Sequence, residues 1–113
     1  MTPEIRFLLE DMLAYASEAV DTVGELSAEQ VLADRLREHA VLRTVQIVGE
    51  AAAQIVKRRP DGFPGLELQQ AIGLRNILVH GYAKVRLQEV VGIVRKDLPG
   101  LIAATRRLLG ENI

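Results

Sequence analysis

The sequence predicts an all-α protein, an antiparallel, up-and-down bundle of four to five helices in a single domain over residues 1–113. Three observations support this fold class. Apolar residues recur at intervals of three and four along most of the chain, the spacing of amphipathic helices. Aromatic residues make up only 4% of the chain, and no segment is convincing as a strand. With 113 residues, 49% of them hydrophobic, the chain can form one core but not two.

The N-terminal third predicts a long helix followed by a short one. Thr2 can cap the first helix, because its side-chain oxygen can accept from a free N–H of the first turn, and Gly24 ends it. Ser27 and Gln30 have the spacing of a capping box, in which side chain and backbone cap each other. This box predicts a short helix through about Ala33.

A second long helix is predicted from the N-cap Asp34 to about Arg58. Small residues around Gly49 would let another helix approach closely. The apolar spacing predicts a buried stripe on this helix, which consists of Leu36, Ala40, Thr44, Ile47, Val48, Ala51 and Ile55.

Two more helical stretches complete the predicted bundle. Residues 60–65 are rich in proline and glycine and form a loop. A third helix is predicted from near Leu66 to about Gly81. The last stretch covers residues 87–109 and should kink or restart at Pro99, because proline lacks the N–H that a helix interior needs.

Composition excludes several classes of function. The chain has no cysteine, and therefore no disulfide framework, no thiolate nucleophile and no cysteine-bound zinc. The N-terminus lacks the basic and apolar pattern of a secretory signal, and no run of about 18 apolar residues occurs. We therefore expect a cytoplasmic protein without a membrane span, and we expect neither a metal site nor a cofactor.

Charge is unevenly distributed along the chain. The net charge of −1 argues against binding nucleic acid over the whole surface. Residues 1–39 contain nine acidic and three basic side chains, whereas residues 75–107 contain seven basic and two acidic ones. The second segment could hold RNA locally if the fold puts it on one face, or its charges could simply solvate helices. The candidates for RNA phosphate contacts are Lys84, Arg86, Arg95 and Lys96.

The residues that carry chemistry are concentrated in residues 75–82. Arg75 can stabilise a phosphate, and His80 can move a proton near neutral pH. These are the minimum parts of a metal-free ribonuclease, because RNA supplies its own nucleophile, the 2′-hydroxyl. Taken singly, Arg75 could form a salt bridge, for example with Glu50, and His80 could be a satisfied core histidine. Asn76, one turn before His80, could orient the imidazole or bind backbone in the core.

A single copy of the motif does not cover the whole reaction. One group must remove the 2′-hydroxyl proton and another must protonate the departing 5′-oxygen, but one chain offers only His80 at this site. A two-fold dimer with the motif at its axis would supply two histidines and two arginines. Five helical residues also rotate by about 140°. Arg75 must therefore curl around the helix, or the two side chains must meet across the dimer.

Three segments occur in a recognisable order: residues 47–52 (IVGEAA), 73–82 (GLRNILVHGY) and 93–99 (IVRKDLP). Together they closely resemble the HepT-like branch of the HEPN ribonucleases, the toxins of a bacterial and archaeal toxin–antitoxin system. The resemblance covers about residues 1–110. One departure is Leu66, where these proteins often carry a tryptophan near the start of the third helix.

The resemblance implies a HEPN-like homodimer whose Arg75 and His80 motifs meet at the subunit interface and cleave RNA, either tRNA or mRNA, without a metal. It implies a partner, a minimal nucleotidyltransferase antitoxin, which inactivates the toxin by adding AMP to the motif tyrosine, here Tyr82. The alternative function is a non-catalytic HEPN helical subunit that binds a nucleotidyltransferase. The intact Arg75 and His80 pair favours the enzyme, because a scaffold needs neither residue.

Overall fold

The computed structural model describes residues 1–80 and 87–110, and all regular structure in this part of the chain is helical. The helices, in chain order, are α1 (Pro3–Val23), α2 (Ala28–Ala33), α3 (Arg35–Arg58), α4 (Gln69–His80), α5 (Leu87–Lys96) and α6 (Leu98–Leu108). The predicted all-α bundle is confirmed. The described residues form six helices rather than four to five, because the last predicted stretch consists of two.

The three predicted N-caps are confirmed. The Thr2 side chain accepts a hydrogen bond from the first turn of α1 at 3.2 Å. At α2, the Ser27 backbone N–H donates to the Gln30 side chain at 2.9 Å, and the Gln30 backbone N–H donates to Ser27 Oγ at 3.1 Å. Asp34 Oδ1 accepts from the first turn of α3 at 3.2 Å. Local sequence alone therefore determines where these helices begin.

The core is centred on α1 and α3, which form the most extensive helix pair. Helices α5 and α6 pack against α1, whereas α2 packs against α3 and α5. Helix α4 packs against α3. The most deeply buried large side chains are Leu9, Met12, Val23, Val31, Val41, Val48, Ile55, Val90 and Val94.

The buried face of α3 differs in part from the predicted stripe. Val41, Val45 and Val48 face the core, but Leu36 is 84% exposed and Ile47 is only half-buried. Residues on a helix are 100° apart, so Leu36 and Ile47 share one line that lies about 100° or more from the line through Val41 and Val48. The prediction that Leu36 is buried is wrong, because the buried face of α3 extends around the helix from Val48 toward Val41 and Val45 and does not reach Leu36.

Helix α4 begins at Gln69, three residues later than predicted. The Leu66 N–H donates to the Phe63 carbonyl at 3.1 Å and closes a turn, and helical bonding starts where the Ile72 N–H donates to the Leu68 carbonyl at 3.1 Å. Leu66 and Leu68 are nevertheless buried. The apolar spacing that predicted an earlier start therefore belongs to a packed loop.

The predicted interruption near Pro99 is confirmed. Helix α5 ends at Lys96, and α6 starts at Leu98 with Pro99 in its first turn, where a missing N–H is tolerated. Across the break, the Asp97 N–H donates to the Ile93 carbonyl at 2.8 Å. None of the helices in the described ranges is both long enough and apolar enough to cross a membrane.

Candidate active site

Helix α4 carries the predicted motif and lies on α3. Ala71 and Leu74 are buried and attach α4 to the core. Arg75 follows Leu74 directly and is half-buried. His80 is the last residue of α4. The sequence-predicted arginine and histidine are therefore carried by one helix, whose position is set by its packing on α3.

Several predicted site residues lie outside the described part of the chain. The structure does not describe the His80 side chain or residues 81–86. This range contains Tyr82, Lys84 and Arg86, so the predictions for these residues stay predictions.

Gly49 is a point of very close approach between α3 and α4. A Cβ placed on Gly49 would lie 2.5 Å from the Ala71 carbonyl oxygen and 3.1 Å from the Arg75 Cγ, and closer still to the Arg75 Cβ. Gly49 is itself buried. The prediction that small residues here admit a neighbouring helix is confirmed, and the helix that approaches is the one with the motif.

The Arg75 guanidinium is only partly engaged. Its Nη1 donates to Asn76 Oδ1 at 2.9 Å. Its Nε is buried and has no hydrogen-bond partner among the described residues. A buried donor without an acceptor costs about 1–3 kcal/mol, so such groups are rare unless a ligand or another chain completes them. Arg75 therefore has free hydrogen-bonding capacity next to the helix interface.

The salt bridge that the sequence left open for Arg75 is not formed. Within residues 1–80 and 87–110, Arg75 takes part in no ion pair. Glu50 instead accepts a hydrogen bond from Gln46 Nε2 at 3.2 Å, one turn away on α3. Because no carboxylate neutralises Arg75, its charge is available to an anion from outside the described residues.

Asn76 does not lie in the core, and its predicted role in orienting the His80 imidazole stays a prediction, because the His80 side chain lies outside the described residues. The Asn76 side-chain oxygen accepts from Arg75, and the residue is exposed. The contact fixes one end of the guanidinium relative to α4. No sequence spacing indicates it, because adjacent helical residues ordinarily point in different directions.

Arg95 and Lys96 lie on α5, which packs against α1, α2 and α6, whereas α4 packs against α3. Arg95 Nη2 donates to the carbonyl oxygens of Gly24, at 3.0 Å, and Leu26, at 2.5 Å. Arg95 thereby fastens the connection between α1 and α2 to α5. Lys96 is exposed. The structure thus gives Arg95 a packing role that the sequence did not reveal.

Two exposed apolar residues flank the motif. Ile77 is 47% exposed and Val79 is 38% exposed, while Leu78 between them is half-buried. Three consecutive helical residues span 200°, so they cannot all face α3. This run of three apolar residues already indicates in the sequence that part of α4 exposes apolar side chains, and our sequence prediction missed it. Large apolar side chains on the surface beside a candidate site are typical of an interface with another chain.

A cavity of about 310 Å³ lies between α3, α4 and the bend that joins α5 to α6. Its walls are mainly apolar, with Leu74, Ile93 and Leu101 among the lining residues. Neither Arg75 nor Asn76 lines it. Among the described residues, no group of three or more histidine, aspartate or glutamate side chains could hold a metal ion.

Comparison with known proteins identifies the family. The sequence model of the HepT-like ribonuclease family matches residues 12–108. A Methanocaldococcus jannaschii protein named as a candidate RNase is 27% identical over 96 residues, which cover 85% of this chain and 88% of that protein. A second candidate RNase of that organism is 24% identical over 96 residues, with coverages of 85% and 83%.

A Thermococcus cleftensis protein named as a candidate ribonuclease HepT is 27% identical over 96 residues, which cover 81% of this chain and 87% of that protein. No solved structure matches the chain. The matched region extends from α1 to the end of α6 and includes the whole of α3 and α4. This chain therefore belongs to the HepT-like ribonuclease family.

Proposed function

We propose that this chain is a metal-independent endoribonuclease, the toxin of a toxin–antitoxin pair, which acts in the cytoplasm as a homodimer on tRNA or mRNA. The observation that carries the proposal is the half-buried Arg75, which has no acidic partner in the described residues and stands on the helix that ends at His80. Membership of the HepT-like ribonuclease family and the RNase names of the relatives support the reaction class.

The reaction is a transesterification within the RNA. His80 of one protomer removes the proton of a ribose 2′-hydroxyl, and the 2′-oxygen attacks the adjacent phosphorus. The bond between phosphorus and the 5′-oxygen breaks, and His80 of the partner subunit protonates that oxygen. The products are a 2′,3′-cyclic phosphate and a free 5′-hydroxyl. Two histidines complete the proton transfers without a metal.

Arg75 stabilises the charge that develops on the pentacoordinate phosphate. A guanidinium is always charged, and its fork of N–H groups matches two phosphate oxygens. Its Nε is buried without a partner in the described part of the chain, so it is the donor with most to gain from such an oxygen. Stabilisation of this kind is worth about 100- to 1000-fold in rate.

The surface of α4 supports the homodimer. Ile77 and Val79 expose apolar area on the helix that carries the motif. Pairing two copies over this area would remove it from water and bring the two motifs together at a two-fold axis. The proposed dimer interface therefore lies on the same helix as Arg75 and His80.

The contacts of Arg95 and Lys96 distinguish these two candidates for binding RNA phosphates. Arg95 is the weakest candidate, because two backbone carbonyls already accept from its guanidinium. Lys96 is exposed and stays a candidate, as do Lys84 and Arg86.

Tyr82 is the proposed off-switch. A cognate nucleotidyltransferase antitoxin would transfer AMP from ATP to the Tyr82 oxygen, with release of pyrophosphate. The added phosphate brings negative charge two residues after His80, where it competes with RNA for Arg75, and the nucleotide adds bulk. Modification at this position would therefore block substrate binding without unfolding the bundle.

The cleavage test uses matched pairs of variants. Purified protein should cleave RNA in EDTA and leave a 2′,3′-cyclic phosphate. His80→Ala and Arg75→Ala should each lose about 100-fold or more in rate. His39→Ala and Arg6→Ala remove an exposed histidine and an exposed arginine from other helices and should cleave like wild type. Equal cleavage by His80→Ala and His39→Ala would refute the assignment of His80.

The partner test distinguishes the toxin from the non-catalytic subunit. Incubation with the cognate nucleotidyltransferase and ATP should raise the mass of this chain by whole AMP units and abolish cleavage. Tyr82→Phe should stay unmodified and stay active. A stable complex with the nucleotidyltransferase, together with no cleavage by the wild type alone, would instead support the binding subunit.

A further inference from the structure

We propose that Gly49 is a positioning residue for Arg75: a bare backbone at this point of α3 lets α4 lie close enough to hold the guanidinium half-buried in its working orientation. The inference rests on the proposed RNA cleavage. It assigns to α3, which carries no part of the predicted motif, a role in the rate of the reaction.

The atoms nearest to a Cβ added at Gly49 all belong to α4. An added Cβ would meet the Ala71 carbonyl oxygen at 2.5 Å and the first two side-chain carbons of Arg75. One of these groups is backbone, and the others stand at the root of a side chain. The Ala71 oxygen and the Arg75 Cβ are fixed to the backbone of α4 and cannot swing away by a side-chain rotation, so α4 itself would have to move.

The clash determines how far α4 would have to move away from α3 at Gly49. Ordinary van der Waals contact of a Cβ begins at about 3.4 Å, so the 2.5 Å approach to the Ala71 oxygen must lengthen by about 0.9 Å (3.4 minus 2.5). The movement acts directly at Arg75. Its Nε would leave its buried position, and its Nη1 would move with α4 relative to α3.

A displacement of Arg75 would slow the proposed reaction. A displacement of about 1 Å can cost about 100-fold in rate, because a group that stabilises developing charge must be placed before the reaction starts. Substrate binding elsewhere on the surface does not depend on this placement. The loss should therefore fall mainly on kcat rather than on KM.

Other helical glycines provide matched controls. Among the residues that the structure describes, an added Cβ at Gly73, on α4, or at Gly92, on α5, would have nothing within 4 Å. Alanine at these positions changes the same atoms and favours the helix, because it loses less backbone entropy than glycine. Gly49→Ala and Gly92→Ala add the same methyl group to a helix, but only Gly49→Ala produces a clash with α4.

The experiment compares RNA cleavage by wild type, Gly49→Ala and Gly92→Ala. We expect a fall of about 100-fold in kcat for Gly49→Ala and wild-type values for Gly92→Ala. If Gly49 acts through Arg75, Gly49→Ala should cost much less when combined with Arg75→Lys, whose head group is already misplaced. A general packing defect would instead cost the same in both backgrounds.

A second measurement reports on Arg75 without using activity. The ¹H–¹⁵N signal of the Arg75 Nε–H, which is buried, should shift and exchange faster with water in Gly49→Ala and stay unchanged in Gly92→Ala. If Gly49→Ala alone is too unstable at the assay temperature, the same comparison is made in a Gly73→Ala background, which favours α4 and leaves Gly92→Ala available as the matched control.

The two proposals fail in different ways. Wild type that cleaves RNA, together with Gly49→Ala that cleaves equally fast or leaves the Nε–H signal unmoved, overturns the role of Gly49. Wild type that does not cleave RNA overturns the proposed function. If Gly49→Ala still displaces the Nε–H signal in that case, the role of Gly49 in positioning Arg75 stands without the ribonuclease activity.

Discussion

Helices α1 and α4 contain similar kinds of residues but use them differently. Helix α1 buries one apolar face in the protein's own core, with Leu9 and Met12 fully covered, and leaves Phe7 exposed on another face. Helix α4 packs against α3 and leaves Ile77 and Val79 partly exposed. The buried face of α1 is therefore explained by the folding of this chain, whereas Ile77 and Val79 lie together on the helix with the predicted motif, as expected for a surface that contacts another chain.

The polar groups of the two helices show the same contrast. The N-terminus of α1 is capped by Thr2. On α4, the Nε of Arg75 is buried and finds no partner in residues 1–80 and 87–110, although the neighbouring Nη1 donates to Asn76. Departures from ordinary polar satisfaction tend to lie at functional sites, where a ligand completes the bonding. In this protein they coincide with the family's motif.

The largest effect on stability is expected in α1. Leu9→Ala removes a fully buried side chain and should lower the free energy of unfolding by about 2–5 kcal/mol, as measured by urea denaturation. Cleavage per folded molecule should stay near the wild-type rate. Leu36→Ala, at an 84% exposed position, should change stability by less than about 0.5 kcal/mol. Equal losses in both variants would contradict the assigned core.

The next largest effect is expected on assembly through α4. Ile77→Lys should weaken the proposed homodimer about 100-fold, roughly 2.8 kcal/mol, because like charges would face each other across the two-fold axis. Sedimentation measures the change, and cleavage should fall with the dimer. Phe7→Lys alters an apolar residue on α1 that is more exposed than Ile77, and it should leave assembly intact. If both variants dimerise as wild type does, the interface lies elsewhere.

A smaller effect separates Arg95 from Lys96. Arg95→Ala loses two hydrogen bonds to the connection between α1 and α2 and should lower the free energy of unfolding by about 1–2 kcal/mol, without altering RNA affinity. Lys96→Ala should leave stability unchanged and reduce the salt dependence of RNA binding by about one phosphate contact. Denaturation and salt titration measure the two changes. An RNA-binding defect in Arg95→Ala alone would reverse these roles.

The smallest effect is expected at the α2 cap. Ser27→Ala removes one half of the capping box and should lower the free energy of unfolding by about 0.5–1 kcal/mol. Ser17→Ala, on α1 and without a side-chain hydrogen bond in the described residues, is its control. Cleavage should be unaffected in both. A stability loss above that of Leu9→Ala would mean that α2 supports the core more than its contacts indicate.

The accuracy of the sequence predictions followed the range of the interactions involved. The caps Thr2, Ser27 and Asp34 were predicted correctly, because a cap depends on residues three positions apart. The restart at Pro99 was also correct, since a missing N–H acts locally. The start of α4 was placed too early at Leu66, because a packed loop and a helix can both bury leucines at this spacing.

The candidate site shows the same division. Arg75 and His80 were predicted from chemistry, spacing and family resemblance, without knowledge of the fold. The Asn76 contact with Arg75 and the missing salt bridge to Glu50 depend on side-chain orientations that spacing does not specify. The exposure of Ile77 depends on which face of α4 meets α3.

The sequence by itself determined the helical class, the local starts and stops of most helices, and the residue types of the motif, because hydrophobic period, capping and side-chain chemistry act over a few residues. The tertiary structure alone decided that α4 crosses α3 at Gly49 and that Arg75 is half-buried there without an acidic partner. Those facts depend on how residues 26 positions apart pack, and packing is a property of the whole bundle.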